Sequence, residues 1–281
     1  MADISAKDVA ALRKVTGAGM MDCKKALAET GGDMEAAKVW LRERNLAGAS
    51  KRAGREADQG AIDVVVDGGV AALVELNCET DFVAKGDAFK AMVAKLAAHV
   101  AATGGDAVGT SAFDGTTVDD AITQFSGTLG EKMGLGRVVR YETTDGLLDA
   151  YKHIQNERGV IGVLVELGGA DASDAAAQEV AHDLALHIAS AAPRYVSRDD
   201  VPADEVAKER AVLDAQTREE GKPDNAIDKI VDGKLNGFFK TVCLVDQPFV
   251  KDNKVTVAKM LAGLGDGVSV RRFTRVKIGE D

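Results

Sequence analysis

The sequence predicts an α+β protein: a small N-terminal three-helix module, then a duplicated core with antiparallel sheets and a projecting helical hairpin. Three observations lead there. Apolar spacing is helical to about residue 45 and changes to strand-like alternation from Gly60. The stretch Leu73-Val74-Glu75-Leu76 recurs as Leu164-Val165-Glu166-Leu167. Apolar residues make up 46% of the chain but aromatics only 4%, so Ala, Val and Leu must fill the core. That composition favours packed helices and small strands over an aromatic-rich sandwich.

In chain order, Ser5 with Asp8 reads as the start of a helix whose face carries Val9, Leu12 and Val15. Thr16-Gly17-Ala18-Gly19 breaks it. Asp22 is placed to cap a second helix bearing Ala26 and Leu27, which Gly31-Gly32 ends. Asp33 caps a third, with Met34, Ala37, Trp40 and Leu41. Residues 1–45 form this module, and 46–60, basic and poorly periodic, read as a linker. Ile62, Val64 and Val66 alternate, Asp67-Gly68-Gly69 turns, and Val70 to Leu76 returns as a β-hairpin. A helix follows with Phe89, Met92, Val93, Leu96 and Val100 on one face and His99 packed beside it. A further helix from about Val118 to Leu129 and a strand from Leu135 to Tyr141 complete a first half, 61–145.

The second half, 146–281, repeats that order. Turn residues Asn156 to Gly159 precede the recurring strand, and the helix Ala175–Ala192 follows, with Leu184, His187 and Ile188 echoing Leu96, His99 and Val100. The strand from Val270 to Val276 echoes Arg137 to Tyr141. An excursion over 199–240 reads as a two-helix arm with its tip at Gly221-Lys222-Pro223. Its thin apolar seam is Val206, Leu213 and Ala215 against Ile227, Ile230, Val231 and Leu235.

Bulk properties exclude several classes. The formal charge of −10 opposes nucleic-acid binding, which needs a basic surface. Residues 1–57 alone are basic, with 11 Lys/Arg against 8 Asp/Glu. Three scattered Cys, with no CxxC and no Cys/His spacing, imply neither disulfides nor a metal site, and suit a reducing cytosol. Met1-Ala2-Asp3-Ile4-Ser5 has no leader character, and no apolar run has membrane-spanning length. No GxxxxGK[ST] phosphate loop occurs, so the chain is not itself a GTPase.

The stretch that demands a reason is Asn77-Cys78-Glu79-Thr80-Asp81-Phe82-Val83-Ala84-Lys85. A Phe stands between strand and helix in a chain with only eight. It is either a staple folded onto the next helix or a rigid probe for a partner's pocket. The second half supplies a comparison: the loop after Leu167, Gly168-Gly169-Ala170-Asp171-Ala172-Ser173, has no Phe. This weighs toward the probe. Met20 and Met21, at a first helical turn, read equally as core filler or as an adaptable binding edge.

Thr16-Gly17-Ala18-Gly19-Met20-Met21-Asp22-Cys23-Lys24-Lys25-Ala26-Leu27 and Thr80-Asp81-Phe82-Val83-Ala84-Lys85 resemble the bacterial translation elongation factor Ts family. So do His153 ahead of Gly159 to Val165, the Gly221-Lys222-Pro223 tip and Gln247-Pro248-Phe249-Val250. The resemblance implies a ubiquitin-associated-like N-terminal module and a cytoplasmic guanine-nucleotide exchange factor without bond chemistry or cofactor. Its partner would be elongation factor Tu, GDP-bound and nucleotide-free, with no nucleic acid or membrane; a homodimer stays open. The resemblance assigns Thr80, Asp81, Phe82 and Val83 to disturbance of the partner's Mg²⁺ site, and Arg13, Thr16, Gly17, Met20 and Met21 to its nucleotide domain. Tyr151 and His153 would meet another partner domain; an exposed turn is the plain alternative for His153. Two other classes stand beside this reading. One is an enzyme with Cys78 as nucleophile, disfavoured because Glu79 raises a thiol pKa and no His is near in sequence. The other is a simple interaction module using residues 1–45.

Overall fold

A computed structural model describes residues 4–280. Met1–Asp3, part of the leader argument, and Asp281 lie outside the described residues.

Helices α1 (Ala6–Thr16), α2 (Met20–Glu29) and α3 (Met34–Arg52) pack around Leu12, Cys23, Leu27 and Leu41. Ser5 and Asp8 close a capping box on α1, and Asp33 accepts the N–H groups of Glu35 and Ala36 at the start of α3. Three details depart from the sequence reading. Val15 is exposed, because α1 buries only the narrow stripe of Val9 and Leu12. Asp22 lies within the first turn of α2 and makes no cap; Gly19 holds that place. The linker expected over 46–60 is helical as far as Arg52. Tertiary packing overrides its weak periodicity: α3 lies on α6 (Val118–Leu129), with Arg42 paired to Asp120 at 2.6 Å and Arg52 donating to Ser126 Oγ.

Strands β1 (Gln59–Asp67), β2 (Val70–Cys78) and β5 (Met133–Glu142) form one antiparallel sheet in the order β1-β2-β5. Strands β6 (Gly146–Gln155), β7 (Arg158–Gly168) and β10 (Ser269–Lys277) form another in the order β10-β7-β6. Each repeated tetrapeptide occupies the central strand of its sheet. Buried Glu75 there accepts the N–H of Arg137, and buried Glu166 accepts from Arg272 Nε at 2.6 Å. The sheets face each other through Ile62, Leu73, Tyr141, Leu148, Leu164 and Val276. They approach so closely that a β-carbon at Gly162 would stand 2.7 Å from Leu73 Cδ1. Helix α5 (Asp87–Thr103) covers the outer face of the first sheet and α7 (Ala175–Ala191) that of the second, giving a helix-sheet-sheet-helix stack.

The duplication runs deeper than the tetrapeptide. A two-stranded ribbon, β3 (Ala112–Phe113) with β4 (Thr116–Thr117), leads into α6, and β8 (Pro248–Phe249) with β9 (Asp252–Thr256) leads into α10 (Val257–Ala262). His99 packs edge-on against Phe113, and His187 stacks beside Phe249. Both histidines are therefore structural. Between α7 and the second ribbon stands the arm, α8 (Ala203–Glu219) against α9 (Asp224–Val242). Its buried seam is Thr217 with Ile227, Val231 and Leu235, whereas Ala215 is exposed. Among the described residues no helix is long and apolar enough to cross a membrane.

Candidate partner-binding site

Phe82 lies on α4 (Asp81–Lys85), a five-residue helix between β2 and α5. Its side chain is 83% exposed. It does not staple α5; Val83 and Ala84 turn inward and anchor α4 on the first-half core. Val83, expected as a contact residue, is half-buried against that core, while its neighbour Phe82 takes the outward position of so short a helix.

The loop is held from the turn between α6 and β5. Glu131 Oε2 accepts the Thr80 N–H at 3.0 Å, and Glu131 Oε1 accepts the Thr80 hydroxyl at 2.5 Å. Thr80 Oγ1 in turn accepts the Val83 N–H and so caps α4. A second clamp runs in the opposite direction. The Glu79 carboxylate accepts the Lys132 N–H at 2.5 Å and an Arg55 N–H at 3.1 Å, and Lys132 Nζ returns to the Arg55 carbonyl. The Lys132 N–H, aided by Arg55, holds the Glu79 carboxyl below its ordinary range. Such two-sided anchoring presents an aromatic side chain at little conformational cost.

Asp81 is not a free charge. Lys85, one helical turn on, donates to its carboxylate at 2.5 Å and lowers its pKa. Cys78 is buried, donates its S–H to the Thr80 carbonyl, and has its thiol pushed up to about 12, mainly by burial and further by Glu131. A thiol in that state is no nucleophile at neutral pH.

The N-terminal residues divide likewise. Met20 and Met21 are 59% and 75% exposed, which favours an edge over core filler. Arg13 and Gly17 are exposed beside them. Thr16 faces inward, its hydroxyl donating to the Leu12 carbonyl at 2.7 Å. The α1–α2 corner lies against α6: a β-carbon at Gly17 would be 3.8 Å from Thr128 Cγ2. Thr128 and Glu131 are three residues apart. One end of α6 therefore lies close to both the α1–α2 corner and the Phe82 loop.

Tyr151 and His153 are on β6, the edge strand of the second sheet, rather than on a turn. The Tyr151 hydroxyl and His153 Nδ1 are 3.2 Å apart, and His182 of α7 meets the Tyr151 ring edge-on. His153 is exposed, as is Ile154 beside it. Sequence reasoning missed Glu131, Lys132 and Arg55, which leave no local signal, and it also missed the Asp81–Lys85 pair, which the four-residue spacing could have signalled. Among the described residues no group of three or more His, Cys, Asp or Glu side chains is placed to hold a metal ion.

A family model described as elongation factor TS matches residues 79–280. Elongation factor Ts of Thermobifida fusca is 47% identical over 285 residues, with both chains fully covered. That of Micrococcus luteus is 45% identical over 284 residues, covering 99% of this chain and all of the relative. That of Rhodospirillum rubrum is 43% identical, covering this whole chain and 94% of the relative. With a model match over most of its length and identities of this size from end to end, the chain belongs to the elongation factor Ts family.

Proposed function

We propose that the chain is a guanine-nucleotide exchange factor that binds elongation factor Tu·GDP and promotes GDP release by disturbing the partner's Mg²⁺ and phosphate site. Family membership makes it a translation elongation factor; the mechanism rests on the Phe82 loop. An exchange factor breaks no bond. It binds better to the partner without nucleotide than with it, and by linkage the nucleotide weakens its binding equally. A GTPase holds GDP through Mg²⁺ and backbone N–H groups around the phosphates, so displacing either set is sufficient.

The observation that carries this reading is an exposed aromatic on a clamped base. Phe82 enters the partner as a wedge, while Thr80 and Val83 keep the loop's shape. Asp81, already paired with Lys85, acts by holding α4 rather than by chelating the metal, for which one carboxylate is too few ligands. Met20, Met21, Arg13 and Gly17 grip the nucleotide domain, and Tyr151 with His153 meets another domain. The setting is the cytoplasm, where the partner works. The test is fluorescent GDP release from elongation factor Tu. Wild-type protein should accelerate release, and Phe82→Ala should lose on the order of 30-fold, the size of a central aromatic contact. Release no faster than spontaneous with the wild type overturns the reading; an unimpaired Phe82→Ala overturns the wedge.

A further inference from the structure

Arg158 opens β7 and is only 9% exposed. Its two terminal nitrogens reach out of the second half into the first. Nη1 donates to the Gly60 carbonyl at 2.8 Å and Nη2 to Gln59 Oε1 at 2.7 Å. Among the described residues no carboxylate lies within 4.0 Å of it, and its Nε is buried without a partner. A guanidinium remains protonated in any protein setting, so this is a buried cation held by two neutral oxygens in a fixed fork. Moving either oxygen away would strand a buried charge.

The position of those oxygens gives the fork its meaning. In the register of β1 with β2, Gln59 is opposite Cys78 and Gly60 opposite Asn77. Cys78 Sγ then bonds the Thr80 carbonyl, at the foot of the Phe82 loop. On the other side, Arg158 is paired across its hairpin with Gln155, and Ile161 with His153. The hairpin that displays Tyr151 and His153 is thereby tied to the base of the loop that displays Phe82. The Arg158 charge also adds to Lys85 in lowering the pKa of Asp81 and offsets a small part of the burial that raises that of Cys78.

We propose that Arg158 is a positioning residue that locks the β6–β7 hairpin to the base of the Phe82 loop, so that docking at Tyr151 and His153 and insertion of Phe82 act as one rigid movement. This rests on the exchange reading above. Loss of the fork leaves both contact surfaces intact, so binding should survive while insertion weakens.

The experiment measures GDP release from elongation factor Tu against the concentration of full-length protein. Arg158→Met should lower the maximal release rate at least tenfold, the value of a single hydrogen bond from a charged group, with the half-saturating concentration changed less than about threefold. Arg158→Lys, which keeps the charge but has one donor nitrogen in place of the two-nitrogen fork, should recover part of that rate. Placed on Phe82→Ala, Arg158→Met should cost nothing more, because the wedge it positions is gone. In the free protein, amide exchange at Thr80, Val83 and Ala84 should quicken about tenfold, a readout independent of the partner. A wild-type rate for Arg158→Met, or an equal further loss on Phe82→Ala, overturns the inference. If circular dichroism shows Arg158→Met unfolded, Gln59→Ala takes its place; a smaller loss of maximal rate at unchanged half-saturation supports the inference, and no loss overturns it. No acceleration by the wild type refutes the exchange reading itself, and the coupling with it.

Discussion

Replacing Glu131 by Ala removes the acceptor for both Thr80 hydrogen bonds while touching neither Phe82 nor the exposed methionines Met20 and Met21. Bonds to a charged group contribute about 1.5–3 kcal/mol each where buried. Thr80 is exposed, so water can replace the lost acceptor, and about 1 kcal/mol each is the better figure here. The sum, about 2 kcal/mol, is roughly a 30-fold shift in the balance between clamped and open loop. The second clamp, Glu79 with the Lys132 N–H and Arg55, survives the change and keeps the opening local. Amide exchange at Thr80 and Val83 should therefore rise on the order of 30-fold, with little change in global unfolding. Glu131→Gln, which keeps one carbonyl acceptor, should fall between. GDP release from elongation factor Tu should slow in the same rank order. Protection within twofold of wild type in Glu131→Ala, measured by hydrogen exchange with mass spectrometry, would show that the clamp does not present Phe82.

Three other expectations use different parts of the molecule. Truncation of residues 1–52 should weaken complex formation while circular dichroism shows the remainder folded; truncation of 1–55 should additionally slow nucleotide release, because Arg55 holds Glu79. Cys78, with its thiol raised to about 12 by burial, should resist iodoacetamide at pH 7 until denaturant opens the first half; rapid labelling of native protein would contradict that burial. His187 is buried as a neutral ring, its Nε2–H directed to Gln247 Oε1 and its Nδ1 accepting the Val250 N–H, and burial lowers its pKa. The unfolded state then takes up a proton the folded state refuses, so this contribution is complete above about pH 6.5 and is lost as pH falls toward the folded value, at no more than about 1.4 kcal/mol per pH unit. Urea titrations across that window should show the slope, and His187→Gln should lack it.

What the sequence made legible follows from range. The hairpins, α6, the Asp33 cap and the repeated central strands all depend on residues within about ten positions of one another, where periodicity and turn chemistry act directly. The N-terminal methionines and Phe82 could be singled out, but their exposure could not be read, because a staple and a probe share one local pattern. The clamps were invisible: Glu131 meets Thr80 across 51 residues, and Arg158 meets Gly60 across 98. The length of α3 was lost for a related reason. Its last two turns carry small and basic residues with no apolar stripe, and their support comes from α6, some 70 residues onward.

The internal duplication ties these points together, since it presents the same corner built in two ways. Gly168 pairs with Ser269 where Asn77 pairs with Gly134, so Gly169 corresponds to Cys78 and Gly267 to Lys132. In the second half the backbones simply touch. A β-carbon at Gly169 would stand 2.4 Å from the Gly267 carbonyl, and Gly169 adopts a φ of +72° that suits glycine. The chain leaves that corner by the Asp171 turn and the Asp174 cap and enters α7 without an intervening helix. In the first half side chains fill the corner: Glu79 on the Lys132 N–H, Glu131 on Thr80, and α4 set between strand and helix. The glycine version shows that the fold needs none of this to join its central strand to its covering helix. The carboxylate clamps and the extra helix are therefore additions particular to the first half, and the side chain they hold out is Phe82.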